Sequence, residues 1–266
     1  MEVCYRYDGT FEGFLTCVFE AYAHREPPME FCLTGDGFTL WEEREVLTHP
    51  AHAQRVYKAL LGVSPTFQDL IERAFLTCLP QKELALYELI RRGLEEGDKV
   101  RRDLSDPTMA QVMLALKKMG TEWDHLKGFV RFSDFGGVMA GEIEPKNRVL
   151  PLLGPHFAGR FPDEHLALYD RTHKEILLCA NGRWTVTPAE NFSLGKANED
   201  EKAFRNMWKT YFSTIAIEGR TNSKCQSTHL PKRYRHVMTE FQPMETLAQK
   251  PGKPYSSPLP GQTTTA

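Results

Sequence analysis

The sequence lacks the features that would place the protein in a membrane or outside the cytoplasm. It has no apolar run near the roughly 18 residues that would suggest a membrane span. It has no apolar leader at its N-terminus, and its six cysteines include no Cys-x-x-Cys pair. We therefore expect a protein of the reducing cytoplasm, with no membrane partner and no disulfide framework.

The motifs of several enzyme classes are also missing. The glycines at 35–37 and 136–137 do not form a Walker or dinucleotide-binding pattern, and no Gly-x-Ser-x-Gly nucleophile elbow occurs. Glu122, Asp124 and His125 are neighbours, but no further His or Cys stands at ligand spacing from them. We interpret these three residues as part of a helix surface whose polar groups are satisfied by hydrogen bonds, and we expect neither a metal nor a cofactor.

Positive charge is concentrated in one segment. Residues 202–236 carry eight basic residues and a single acid, Glu218, which gives a net charge of +7, whereas the whole chain has −2. The rest of the chain is acidic, so this basic patch would attract a polyanion to one site on the protein. Positive charge spread evenly over the surface would not select one site.

The spacing of apolar residues predicts an α+β fold. Residues 3–7 alternate as in a short half-buried strand, and residues 11–22 follow with helical spacing and Thr10 as a cap. Residues 48–129 are predicted to be almost entirely helical, with start signals at Ser64-Pro65 and Asp106-Pro107. An antiparallel or mixed sheet is then expected from strands at 129–132, 137–140, 165–169, 176–180 and 184–186. Asn181-Gly182 predicts a type I′ hairpin turn.

The last part of this pattern predicts a basic helix-loop-helix. One face of the first helix is an apolar stripe of Phe204, Met207, Trp208, Tyr211, Phe212 and Ile215, and its other side is basic. Residues 219–230 are expected to form a polar loop, and Pro231 is expected to start a second helix. We predict one folded domain over residues 1–241, with a possible helical subdomain at 48–127. Residues 242–266, rich in Pro and Thr, are expected to be disordered.

This helix-loop-helix is the first candidate site, for a nucleic-acid backbone or another phosphate. Its loop offers hydrogen-bond donors just before a helix N-terminus, where free N–H groups and the helix dipole favour anions. The alternative is a pair of solvated, charged surface helices. The candidate residues are Lys209, Arg220, Asn222, Lys224, Gln226, Lys232, Arg233 and Tyr234, with Tyr234 either stacking on a base or anchoring its helix.

A second candidate site lies between the expected strands. His156 could act as an acid or base near neutral pH, Arg160 could clamp a carboxylate or phosphate, and Asp170 follows closely. These three are the candidate catalytic residues. The alternative is an aromatic loop at 155–162 packed on the sheet, with Asp170 in a turn at a strand end.

Seven short segments, in this order, resemble one bacterial family. They are YDGTFEGFL at 7–15, GFVRF at 128–132, IEP at 143–145, VLPLL at 149–153, PHF at 155–157, YDR at 169–171 and PKRY at 231–234. Together they resemble the domain-of-unknown-function family 4130, whose members are usually called probable DNA metabolism proteins. The sequence departs from the family pattern at Asp124, Met139 and Leu166.

The resemblance implies a protein that accompanies DNA repair or modification. Members pair with a radical-SAM protein similar to photoproduct lyases, and some are fused to a uracil-DNA-glycosylase-like part. This sequence shows no glycosylase part and no three-cysteine motif for an iron–sulfur cluster, so neither chemistry is assigned to it.

Three functions therefore stand as hypotheses. The first is a DNA-binding protein that acts with a separate repair enzyme, with single- or double-stranded DNA left open. The second is a scaffold that holds a radical-SAM repair partner, using its basic segment to meet an acidic surface. The third is an enzyme acting on a nucleotide or phosphate ester, with His156 and Asp170 as acid and base.

Overall fold

The computed structural model describes residues 2–35, 37–190, 192–217, 219 and 221–247. Its strands are β1 (Val3–Tyr7), β2 (Pro28–Leu33), β3 (Glu42–Glu45), β4 (Ser133–Asp134), β5 (Val138–Ile143), β6 (His165–Asp170), β7 (Glu175–Ala180) and β8 (Arg183–Pro188). Its helices are α1 (Phe11–His24), α2 (Pro50–Val63), α3 (Pro65–Phe75), α4 (Lys82–Glu96), α5 (Pro107–Phe129), α6 (Leu150–Arg160), α7 (Glu199–Thr214) and α8 (Ser223–His229). Short 3-10 helices lie at Asp98–Arg102, Lys232–Val237 and Thr239–Phe241. The α+β prediction is confirmed.

The N-terminal strand is the centre of a small parallel sheet with the order β2-β1-β3. Val3, Tyr5 and Tyr7 point into a core formed with the helices. Cys4, on the opposite face, is also fully buried. The strand is therefore buried on both faces, not half-buried as its alternation predicts, because parallel strands are covered on both sides more often than antiparallel ones.

Four helices fill the stretch predicted to be helical, and their starts follow the expected chemistry. The Ser64 hydroxyl accepts a hydrogen bond from the Phe67 N–H, and the Asp106 carboxylate accepts one from the Met109 N–H. A proline follows each cap at the first helical position, where its missing N–H costs nothing.

A second, five-stranded sheet has the order β4-β5-β6-β7-β8. Strands β5 and β6 are parallel and are joined through α6, whereas the other neighbouring pairs are antiparallel. Asn181 and Gly182 both have positive φ, of 52° and 69°, in the tight turn between β7 and β8, as the type I′ prediction requires. The sheet is mixed.

Two segments next to the five-stranded sheet differ from the sequence prediction. Residues 129–132 were expected to form a strand, but Phe129 ends α5 and the sheet begins at Ser133. Residues 155–162 were expected to form a loop, but α6 runs to Arg160 with Pro155 inside it. Leu153 and Phe157 are buried four residues apart, so helical packing on the sheet outweighs the turn signal of this proline.

Helix α5 contributes to both main hydrophobic cores. Met109 and Val112, near its start, belong to the core that contains the N-terminal sheet. Met119 and Leu126, near its end, belong to the core between α6 and the five-stranded sheet. Within the described residues, no helix is long and apolar enough to cross a membrane.

The C-terminal segment keeps the first predicted helix but not the second. The expected polar loop contains α8, and the segment after Pro231 forms two short 3-10 helices where one continuous helix was expected. Tyr234 and Met238 still reach the second core from this segment, so its apolar residues are anchored although the regular helix is absent.

Candidate nucleic-acid interface

Helix α7 packs on the protein through its basic side. Lys209 is only 6% exposed, whereas Phe204 and Tyr211 are 63% and 55% exposed. Amphipathic helices normally bury the apolar face, and the sequence pattern indicates that arrangement here. The structure reverses it, and the aromatic face of α7 (Phe204, Met207, Trp208, Tyr211, Phe212 and Ile215) is open to solvent.

Polar contacts hold the basic side of α7 in place. Arg205 donates to the Ser133 hydroxyl of β4 at 2.8 Å and forms ion pairs with Glu201 and Glu245. The Lys209 ammonium donates to the Pro243 carbonyl at 2.6 Å. The chain after the last 3-10 helix therefore runs along α7 and is tied to it by charged hydrogen bonds.

Arg131 forms a second anchor next to α7. Its guanidinium forms a two-point ion pair with the buried Glu240 carboxylate, at 2.7 and 3.1 Å, and the Trp208 indole donates to the same carboxylate. Burial alone would raise the pKa of Glu240, but the hydrogen bonds from Arg131 and Trp208 outweigh burial and lower it. Glu240 is therefore a fixed anion.

Between β4, β5 and the C-terminal segment lies a hollow of about 200 Å³, which we call the basic cleft. Its charged lining residues are Arg131, Arg171, Arg205, Lys209, His236, Glu142 and Glu245. Four of these side chains are Arg or Lys and two are carboxylates, but Arg131 is also paired with Glu240, and Arg205 with Glu201. An anion that enters the cleft therefore meets several cations, most of which already have acidic partners.

Gly141 of β5 helps to shape this cleft. A Cβ atom at this position would lie 2.8 Å from the Arg131 carbonyl oxygen, which belongs to the backbone and cannot rotate away. Only glycine lets the Arg131 backbone approach the strand this closely. The Arg131 side chain is thereby held at the cleft edge.

An aromatic hollow of about 410 Å³ adjoins the basic cleft and shares Arg131 and Arg205 with it. Phe132, Phe204 and Trp208 line it, and the Arg131 guanidinium stands 5.8 Å from the centre of the Trp208 ring system. Charged groups that can hold phosphates thus lie beside ring faces that can stack on bases.

A family comparison covers most of this region. A model of the domain of unknown function DUF4130 matches residues 80–240. The chain belongs to the DUF4130 family. No curated protein sequence matches the chain. The DUF4130 match contains all the cationic lining residues of the basic cleft, while the N-terminal sheet lies before it.

The structure describes seven of the eight predicted phosphate-binding residues of this DUF4130 protein. Of these seven, only Lys209 lines the basic cleft. Lys224, Gln226 and Lys232 are exposed outside it, and the Asn222 side chain caps α8. Arg220 lies outside the described residues. The described residues of the predicted loop-and-helix site, Lys209 excepted, therefore lie outside the basic cleft.

Arg233 and Tyr234 are structural in their observed positions. The Arg233 guanidinium is 3.2 Å from the Glu122 carboxylate. Tyr234 is 3% exposed, and its ring packs against His125 and Phe129. It anchors its segment, which was one of the two alternatives, and its buried ring is not available to stack on a base.

Glu122 is satisfied by hydrogen bonds, as expected, but it is buried and does not lie on the helix surface. Its side chain is 2% exposed and accepts hydrogen bonds from the Lys146 N–H, the Asn147 N–H and the Asn147 amide. The sequence spacing could have predicted this burial, because Glu122 follows Met119 by three residues and precedes Leu126 by four. It therefore lies on the buried stripe of α5.

The three candidate catalytic residues are not brought together. His156 and Arg160 lie in the last two turns of α6, before β6 begins, whereas Asp170 ends β6. A six-residue strand is about 17 Å long, so Asp170 is at the far end of the sheet. Burial and the nearby Lys127 and Arg160 lower the pKa of His156, which favours its neutral form.

Asp170 performs a local structural task. Its buried carboxylate accepts hydrogen bonds from the Thr172 N–H and the His173 N–H, and lies 2.6 Å from the His173 ring nitrogen. These contacts fix the turn between β6 and β7, which agrees with the alternative of a turn at a strand end. His156 and Asp170 are close in the sequence but separated in space, because α6 and β6 run in opposite directions.

Proposed function

We propose that this DUF4130 protein binds a nucleic-acid strand, with phosphates in the basic cleft and bases on the Phe204 and Trp208 rings of the adjoining aromatic hollow. The observation that carries the proposal is the placement of Arg131 and Arg205 in both the basic cleft and the adjoining aromatic hollow. A backbone phosphate at these guanidinium groups would bring its base within reach of Phe204 or Trp208. The arrangement favours single-stranded over double-stranded DNA, because stacking needs an unpaired base.

Binding through this cleft would be moderate and sensitive to salt. The carboxylates of Glu142 and Glu245 line the same cleft, and Arg205 already pairs with Glu245. A phosphate must compete with these acids, so we expect its gain to come from several contacts together. Within the described part of the chain, Lys224 and Lys232 have no acidic partner and can add contacts further along the strand.

The biological setting that we propose is DNA repair or modification in the cytoplasm, together with a separate repair enzyme. The family resemblance supports this setting. The protein would present single-stranded DNA to its partner, since the paired charges on the C-terminal segment hold the cleft in a fixed shape.

The test is fluorescence-anisotropy binding of a short single-stranded DNA over a series of salt concentrations. We expect Arg171→Ala and Trp208→Ala each to weaken binding about 5- to 30-fold, as loss of a phosphate contact or a stacked base should do. Only the Arg171 variant should reduce the dependence on salt. Arg183→Ala, an exposed arginine at the opposite edge of the sheet, is the matched control and should bind as the wild type does.

Two results would contradict this proposal. One is an absence of DNA binding by the wild type at low salt, and the other is equal weakening by the Arg183 control, which would indicate diffuse attraction with no defined site. A duplex of the same length should bind more weakly, because its bases are not free to stack on α7.

A second function is favoured by the exposed face of α7. An aromatic surface of this kind is typical of protein contacts, and a radical-SAM repair protein is the partner that the family resemblance suggests. In this case the main function of α7 would be to bind the partner protein, and DNA binding would be a lesser function. Tyr211→Ser should then abolish co-purification with that partner while leaving DNA binding unchanged, because Tyr211 does not line either hollow.

A further inference from the structure

A compact group of potential metal ligands lies on the face of the N-terminal sheet that points away from the helices. In the register of this sheet, Cys4 of β1 lies beside Glu30 of β2, and Arg6 lies beside Cys32. Side chains two residues apart on a strand share a face, so the two thiols and the carboxylate of Glu30 are on the same side. Neither thiol belongs to the main hydrophobic core.

The ligand atoms are close enough to share one ion. The two Sγ atoms are 3.2 Å apart, and the ligand atoms of Cys4, Glu30 and Cys32 all lie within 4.8 Å of one another. In the described part of the chain, no other three His, Cys, Asp or Glu residues converge in this way. Strand pairing brings the ligands together, and for this reason no ligand spacing is visible in the sequence.

The segment that follows β2 covers the group. Arg6 donates to the Gly37 carbonyl at 2.7 Å and so holds this segment over the sheet. Thr39 is 6% exposed and donates its hydroxyl proton to the Glu30 carboxylate at 2.5 Å. Cys4 is completely buried beneath the segment. A partly buried carboxylate with two thiols beside it is typical of a cation site, since buried charges are normally paired or bound to metals.

We propose that Cys4, Cys32 and Glu30 bind one thiophilic divalent cation of the zinc(II) type. Two sulfur ligands and one carboxylate match the preference of zinc, and the Thr39 hydroxyl or a water molecule supplies the fourth position. Each thiol loses its proton to solvent when its sulfur binds the ion. Zinc–sulfur bonds of about 2.3 Å at a tetrahedral angle place two sulfurs about 3.8 Å apart, so the thiols need to separate by about half an ångström.

The bound ion would fasten β1 to β2 beneath residues 37–41. It would therefore stabilise the N-terminal sheet, which carries none of the residues that line the basic cleft. Metal binding and DNA binding are thus expected to be separable, and failure of either proposal leaves the other standing.

The experiment uses the full chain without a purification tag, kept reduced and freed of metal with a chelator. Cobalt(II) is added first, because thiolate ligands give it a sulfur-to-metal charge-transfer band and tetrahedral geometry gives it intense visible bands. We expect both signals to saturate at one equivalent and to be displaced by zinc(II). Zinc(II) should also raise the thermal unfolding midpoint.

Matched variants assign the ligands. Cys32→Ser, at a partly exposed position, should abolish the charge-transfer band or weaken cobalt binding at least 100-fold, and Glu30→Gln should weaken binding at least 10-fold. Cys78→Ser, an exposed thiol elsewhere, is the control and should bind as the wild type does. Absence of the band from the wild type, or an unchanged band in Cys32→Ser, would overturn the proposal.

Discussion

The Glu122 carboxylate of α5 lies 3.2 Å from the Arg233 guanidinium, so the C-terminal segment is fastened to the centre of the protein by an ion pair. The same carboxylate holds the loop between β5 and α6 through the backbone N–H groups of Lys146 and Asn147. One buried acid therefore positions two segments that are far apart in the sequence.

We predict that Glu122→Ala destabilises the protein by about 3–5 kcal/mol, because it removes an ion pair and leaves buried N–H donors without an acceptor. Urea unfolding followed by circular dichroism measures the change. Asp124→Ala, on the exposed side of the same helix, is the control and should cost less than about 0.5 kcal/mol. Equal effects of the two substitutions would contradict the role of Glu122.

The orientation of α7 gives a second prediction. Ile215→Ser should change the free energy of unfolding by less than about 1 kcal/mol, because this side chain is 55% exposed. Leu153→Ala, at a fully buried position in α6, should cost about 2–5 kcal/mol in the same denaturant experiment. A large loss of stability in the Ile215 variant would mean that the apolar face of α7 is buried after all.

Much of the fold follows from the sequence, because local signals there agree with the final packing. Thr10, Ser64 and Asp106 cap helices as predicted, and the Asn181-Gly182 turn forms as expected. Each of these features depends on residues that lie within a few positions of one another in the sequence. Apolar periodicity and turn chemistry are therefore sufficient to predict it.

The cleft could not be predicted in the same way, because its geometry depends on contacts between distant segments. The amphipathic pattern of α7 indicates that its apolar face meets the protein, whereas in the structure its basic side does so. Glu240 and Glu245 decide this by pairing with Arg131 and Arg205, and nothing local in the sequence connects these residues. Counting basic residues therefore overestimated the charge that is free.

The glycines in two helices provide a third prediction. A Cβ atom on Gly93 of α4 would lie 2.3 Å from the buried Phe67 ring, so Gly93→Ala should destabilise the protein by about 1–3 kcal/mol. A Cβ atom on Gly120 of α5 would meet no atom within 4 Å. Gly120→Ala should therefore stabilise the protein by up to about 1 kcal/mol, since alanine favours the helix. Thermal and urea unfolding of both variants check the opposite signs.

The anchor at Glu240 makes a fourth prediction, which concerns pH. The lowered pKa of Glu240 means that its contribution to stability is complete above the ordinary glutamate pKa of 4.5 and is lost as the pH falls through the folded-state value. Glu240→Gln should lower stability at pH 7 and flatten the acidic part of the stability profile. Urea unfolding from pH 7 to pH 3 measures this, with the exposed Glu164→Gln as the control. If the stability of Glu240→Gln fell with pH as steeply as that of the wild type, the stabilising role assigned to the Glu240 carboxylate would be contradicted.

The length of α5 couples the stability of the two hydrophobic cores. Its 23 residues span about 35 Å, and its two ends are embedded in different cores. Because both cores pack on this one helix, unfolding of either core would expose one end of α5 and weaken the packing of α5 in the other core. Heat should consequently melt both halves in one cooperative step, and a destabilising substitution in the N-terminal core should also lower the unfolding temperature of the half that contains the cleft.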